Sequence, residues 1–387
     1  MRNRFTLITN AGHELGRALA LMSLVMLPIA AQTTNKPAAA KPAAAKSAGK
    51  RMPDGHPDLQ GVYDLATMTP FERLPGDPPV LTKEQAQKLQ DAEKTRRAKD
   101  EKITNAEHPL LPVGGDHTPG KTFFEILEKA GGGAVGGYER LWLNQGNNFM
   151  VVDGQIRTSI VVDPPDGHIP PYNAAAKARM AGGRGRNLPT SDAGESTDVR
   201  QVTRRGEYDN PEQRPLSERC LLGFGSTSGP PALPDYFYND NHQIVQTKDY
   251  VMILSEMIHD ARIVRMNAQH LPSSMRQWMG DSVGHWDGDT LVVDTTNFTD
   301  KTRFHGATEN MHVIERFTRM DDHTLLYRFT IEDPQTWDRP WSGELTWPQT
   351  NKPIYEYACQ EGNYALGDVL RGARVQESQE KKGTDKK

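Results

Sequence analysis

Through the C-terminal half of the chain, apolar and polar positions alternate with a period of two, which predicts strands. The runs are 243–247, 250–258, 262–266, 282–286, 290–298, 312–319, 324–332, 342–346 and 354–359, rich in Val, Ile, Thr and aromatic residues. Upstream, the runs 149–152 and 155–162 flank Asp153-Gly154, a hairpin signature. Many short strands with tight connections predict a mainly β fold, an antiparallel meander forming a barrel or a sandwich. A few short helices belong to an irregular N-terminal part. Thr82 and Gln85 form a capping-box pair ahead of a polar helix running to about residue 99, and its lone large apolar residue, Leu89, marks it as a surface helix. A second helix over 122–129 stops at the glycines 131–133.

The ends read differently. Arg2, Arg4 and Arg17 precede an apolar run over 18–31, and Ala30 and Ala31 offer a cleavage point, the pattern of a signal peptide. That run is too short to span a bilayer, and no cysteine follows it to take a lipid. The domain organisation expected is a signal peptide over 1–31 and a Lys-Pro-Ala linker over 32–52. An irregular region with short helices and a hairpin follows over 53–215, packed on an antiparallel barrel domain over 216–375. A charged, disordered tail over 376–387 ends the chain. Export to the periplasm or beyond follows, with no integral membrane segment left after cleavage. A net charge of -4 gives no general attraction to nucleic acid. In an oxidising compartment the two cysteines, Cys220 and Cys359, are expected to pair.

Candidate chemistry comes from reading two hairpins by register. A type I′ turn at Asp287-Gly288 sets Asp281 opposite Asp294, on one face with Val283, Val292 and His285. Opposed carboxylates repel, so a proton, a cation or an arginine must intervene, unless the pairing stops short of Asp281. A two-residue turn at Asp321-Asp322 pairs Glu315 with Arg328 as a cross-strand ion pair. It also puts His312 and Arg316 on the apolar face of Ile314, Leu325, Tyr327, Phe329 and Ile331, as the lining of a wet cavity or as buried polar residues. Gly280-Asp281-Ser282-Val283-Gly284 matches the G-x-S-x-G nucleophile pattern, but a turn and a strand follow where the elbow requires a helix. Glu256 with His259 and Glu309 with His312 have the Glu-x-x-His spacing of helical metal sites. On strands that spacing separates the two side chains, so no metal is expected.

Several runs resemble a widespread group of exported bacterial proteins of unknown function. They are Gln243-Ile244-Val245-Gln246-Thr247, the stretch from Trp278 to Thr295, Glu315-Arg316-Phe317, Asp333-Pro334 with Pro340-Trp341, the stretch from Tyr355 to Tyr364, and Pro53 to Gly61 near the start. The resemblance covers most of the mature chain and implies no activity. The hairpin Trp286-Asp287-Gly288-Asp289-Thr290-Leu291 also resembles those of lipocalin-like barrels. Two functional expectations stand beside each other. The first is a barrel module holding a small, partly apolar or aromatic ligand, with His312, Arg316, Tyr327, Arg262, Glu256 and Trp278 as its ligand-binding residues and no cofactor. The alternative is an acid–base enzyme, a lyase, isomerase or hydrolase, using Asp281, Asp294, His259 and His285.

Overall fold

A computed structural model describes residues 49–103, 146–181, 208–214, 216–223, 228–234, 239–302 and 304–384, all within one compact unit, Ala44–Lys387. The expected signal peptide, most of the linker and the helix over 122–129 lie outside the described residues. In chain order the elements are β1 (Gly61–Asp64), β2 (Val80–Leu81), α1 (Lys83–Ile103), β3 (Val151–Val152), β4 (Gln155–Arg157), β5 (Val161–Asp163) and α2 (Ala174–Ala181). Then come β6 (Asn241–Gln246), β7 (Tyr250–Ser255), β8 (Ala261–Met266), β9 (Asp281–Asp287), β10 (Thr290–Thr296), β11 (His312–Arg319), β12 (Thr324–Glu332), β13 (Trp341–Thr350) and α3 (Tyr364–Thr384).

The sheet closes on itself, so the fold is a barrel and not a sandwich. Strands β6 to β13 follow one another around the wall, and β1 joins β6 on one side to β13 on the other. Eight of the nine contacts around this ring are antiparallel, and β8 with β9 is the parallel one. A ring of nine strands cannot alternate direction throughout, so one parallel neighbour is forced, and a parallel pair needs a long crossover. Asn267 to Gly280 supply that crossover. A wholly antiparallel meander was the expectation; the odd strand count overturns it at this one junction.

The closing strand β1 comes from the proline-rich stretch over 53–79, outside the 216–375 barrel segment read from the sequence. Four residues carry little local signal, and β1 is a strand because both of its barrel neighbours pair with it. Segment 354–359 is not a strand: Tyr355 N–H donates to Glu256 Oε1 at 3.1 Å, and Cys359 is bonded to Cys220. Residues 376–384, read as tail, continue helix α3, whose start is capped by Asn363 Oδ1 accepting from Leu366 N–H at 3.3 Å. Helix α1 carries its expected capping box, with Thr82 N–H to Gln85 Oε1 at 2.8 Å and Gln85 N–H to Thr82 Oγ1 at 3.2 Å. The hairpin at Asp153-Gly154 also forms as read, Val152 opposite Gln155, with both turn residues at positive φ.

Aromatic side chains fill the barrel. Trp347 meets Tyr327 at 5.1 Å and Phe317 at 5.3 Å between ring centroids, and Trp341 meets Phe329 at 5.8 Å; all five are buried. Among them lies a buried ion pair. Arg262 donates to both oxygens of Glu315, Tyr327 Oη donates to Glu315 Oε1 at 2.8 Å, and Ala232 N–H donates to Tyr327 Oη at 2.9 Å.

Both hairpin registers differ from expectation, with unequal consequences. The β9–β10 turn is centred on Gly288-Asp289, so Asp281 pairs with Thr296 and Asp294 with Val283. Gly288 has φ +64° and Asp289 does not have positive φ, which suits a turn with glycine at its first central position. This slip of two keeps every side chain on its expected face. The β11–β12 loop has three residues, closed by Met320 N–H to Thr324 O at 2.9 Å, and Arg316 pairs with Arg328. That slip of one inverts β11. Glu315 turns into the core opposite Phe329, while His312 and Arg316 turn outward, and Arg328 bonds Glu344 instead, Nε to Oε2, at 3.1 Å.

Candidate functional site

The outer wall of β8 to β11 carries a cluster of charged side chains. Val293 and Thr295 of β10 point inward and are buried, which turns Asp294 out; Val313 of β11 likewise turns His312 out. On β9 the inward side is Ser282, Gly284 and Trp286, so Asp281 also faces out. Asp281 and Asp294 are thus diagonal neighbours on one face, not an opposed pair.

The crossover settles their repulsion. His270 stands between the carboxylates, its Nδ1 3.0 Å from Asp281 Oδ2 and its Nε2 3.0 Å from Asp294 Oδ1. His312 Nε2 lies 3.0 Å from the same Asp294 oxygen. Asp281 is fixed further by Arg265, whose NH2 donates to Oδ1 at 2.9 Å and Oδ2 at 3.1 Å, and by Leu271 N–H to Oδ2 at 2.8 Å. The crossover is pinned beyond that point by Asn297 Nδ2, which donates to Leu271 O at 2.9 Å.

The charges follow from these contacts. Burial pushes the Asp281 carboxyl upward, but the Leu271 amide, His270 and Arg265 outweigh it and hold the group below the usual carboxylate range. Asp294 is also lowered: burial raises it, and the bonds and charges of His312 and His270 overcome that. The bond to Asp294 raises His312 above the ordinary imidazole value, against a smaller opposing effect of burial and with Asp294 and Glu332 adding attraction. The Asp281 side chain is only 5% exposed, whereas Asp294 and His312 are 34% and 32% exposed. Asp281 is therefore an internal anchor, and the Asp294–His312 end is the more exposed one.

Other residues singled out from the sequence lie elsewhere. His285 is exposed on β9 opposite Val292, and His259 is exposed with Nδ1 3.2 Å from Tyr357 O, so neither joins the two aspartates. The six residues expected to share a ligand are not brought together. Arg262 and Tyr327 are inside the barrel, whereas His312 and Arg316 are outside, Arg316 NH1 lying 3.5 Å from Asp287. Glu256 is buried and accepts from Asn239 at 3.1 Å, Asn241 at 2.5 Å and the Tyr355 amide at 3.1 Å, tying the C-terminal segment to the barrel. Trp278 sits by Thr302, whose Oγ1 donates to its carbonyl at 2.5 Å, with Lys301 Nζ 5.9 Å from its ring centroid. Ser282 of the G-x-S-x-G run faces inward, 2.9 Å from Thr295 Oγ1.

Cys220 and Cys359 form a disulfide with Cα atoms 5.8 Å apart. Among the described residues no helix is long and apolar enough to cross a membrane, and no group of three His, Cys, Asp or Glu is disposed to hold a metal ion. No family model matches the chain, and neither the curated proteins nor the solved structures give a match.

Proposed function

We propose that this is an exported barrel protein that performs proton-transfer chemistry on a small molecule at the outer-wall cluster, with His312 as proton donor and Asp294 as its partner. The observation that carries the reading is the single Asp294 oxygen lying 3.0 Å from both His270 Nε2 and His312 Nε2. His270 contacts Asp281 through Nδ1 and turns its second nitrogen to Asp294, so His270 and His312 both meet the same carboxylate oxygen. Asp294, held as a carboxylate, keeps His312 protonated above the ordinary imidazole value, which leaves a proton donor in place at near-neutral pH. Nucleophilic catalysis through Ser282 is not supported, because its hydroxyl faces the barrel interior. Export is supported by the disulfide and by the apolar run over 18–31.

Two measurements test this reading. In NMR titrations, His312 should deprotonate above the ordinary imidazole value of about 6.5 and fall toward it in Asp294→Asn. A His312 that titrates at or below that value in the wild type would show that Asp294 does not hold the imidazole protonated. Carbonyl compounds with exchangeable α-protons, followed in deuterated buffer, should exchange faster with the protein present. His312→Gln should remove on the order of a hundredfold or more of that rate, with the circular dichroism unchanged. Exchange indifferent to both His270→Gln and His312→Gln would refute the assignment.

A further inference from the structure

On the other flank of the crossover, the outer faces of β6, β7 and β8 carry an apolar row. Val245, Met252 and Ile263 are register partners across the three strands, and Leu254 lies beside Met252 on the same face of β7. Their neighbours Val251, Ile253 and Val264 already serve the core, so the outward set is not needed inside. Ile263 is 49% exposed, and Tyr250, two residues from Met252 on that face, is 53% exposed. Apolar side chains gathered in one exposed patch of a barrel wall commonly mark a binding surface.

The patch ends on a cation. Tyr250 pairs with Arg265 in the β7–β8 ladder. The Arg265 guanidinium makes its hydrogen bonds through NH2 alone, to Asp281 and to Gln269 O at 3.0 Å, and its side chain is 30% exposed. Nε and NH1 remain on opposite edges of the guanidinium, each able to donate a single hydrogen bond to an anion. From Val245 on β6 to Ile263 on β8 is two strand spacings, about 10 Å, enough for a medium-length alkyl chain.

We propose that this wall binds a free anionic amphiphile of the fatty-acid class, its carboxylate on Arg265 and its chain along Tyr250, Met252, Ile263 and Val245. The surface is separate from the proton-transfer cluster, and Arg265 connects the two through Asp281. Occupation at Arg265 would thus be felt at His270.

Decanoate is the probe, with acetate, decyltrimethylammonium and vesicles containing anionic lipid as comparisons, measured by isothermal titration calorimetry and, for vesicles, by flotation. Decanoate should bind saturably and on the order of a hundredfold more tightly than acetate, and the cationic amphiphile should bind weakly. Ile263→Asp, an exposed change that leaves the core intact, should weaken decanoate by about tenfold or more, and Arg265→Gln should weaken it and flatten its salt dependence. Equal binding of the cationic amphiphile would overturn the anion site, and an unchanged affinity in Ile263→Asp would put the chain elsewhere. Vesicle recruitment without binding of monomeric decanoate would replace a fatty acid by a membrane surface and end the proposal. Failure here leaves the proton-transfer reading standing, since that rests on His312 titration and exchange.

Discussion

Replacing Glu315 by Gln tests the interior of the barrel, because it removes one charge while keeping side-chain shape and an acceptor for Tyr327. The Glu315 and Arg262 side chains are 0% and 3% exposed, so the guanidinium cannot recover its lost partner from solvent. Burial works to discharge Arg262, and Glu315 more than compensates, leaving it above its usual value. Without Glu315 the arginine is a buried, uncompensated cation, a situation that costs about 3–5 kcal/mol. Glu315→Gln should therefore lower the unfolding free energy by that amount, and the melting temperature by on the order of 10 °C for a chain of this size. In Arg262→Met with Glu315→Gln no charge remains and the Gln carbonyl still accepts from Tyr327, so the double variant should be more stable than Glu315→Gln alone. Urea unfolding at pH 7, followed by tryptophan fluorescence with the disulfide intact, measures all four proteins of the cycle. A Glu315→Gln cost below about 1 kcal/mol, or a double variant whose loss equals the sum of the singles, would refute the account.

Two further outcomes follow from contacts nearer the surface. Asp281→Asn should destabilise by about 1–3 kcal/mol at neutral pH, since Arg265, His270 and the Leu271 amide lose their ionised acceptor. The folded-state pKa of Asp281 is lowered, so its contribution is present above the unfolded value of about 3.9 and is lost as pH falls through the folded value; the gap between wild type and variant should close in acid. A variant more stable than wild type at pH 7 in urea melts would mean that the aspartates repel unrelieved. Reduction of Cys220–Cys359, which closes a separation of 139 residues, should cost about 5 kcal/mol in the chain-entropy account. Thiol counting on secreted, unreduced, denatured protein should find no free thiol, and two would contradict the pairing.

How far the sequence revealed this site depended on the size of each register error. Alternation along β9 and β10 put Asp281 and Asp294 on one face, and the need for a third group between them was legible from charge alone. A slip of two moved both without changing that face. On β11 the error was one residue, from a loop of three residues where Asp321-Asp322 suggested two, and it exchanged inside for outside. Glu315 became a core acid and His312 a surface base. The buried pattern of Val313, Glu315, Phe317 and Arg319 shows why no sequence rule caught it: two of the four inward residues are charged. His270 carried no signal at all, since it sits in a connection without periodicity and acts only through residues on β9 and β10.

That connection is where topology and chemistry meet. An eight-stranded ring could alternate direction completely and join β8 to its neighbour by a tight turn, with nothing laid over the wall. The ninth strand, β1, is what makes one junction parallel, and a parallel junction requires a chain long enough to return along the outside. The return path necessarily crosses the outward faces of the strands it joins, and here it crosses Asp281 and reaches Asp294. A polar side chain on such a path can stand between like charges, adding to what Arg265 of β8 gives Asp281 and His312 of β11 gives Asp294. His270 fills that place with two nitrogens, and its backbone neighbour Leu271 adds an amide. The cluster is thus a product of strand parity, since the four residues that close the barrel at β1 create the need for the crossover that carries its histidine.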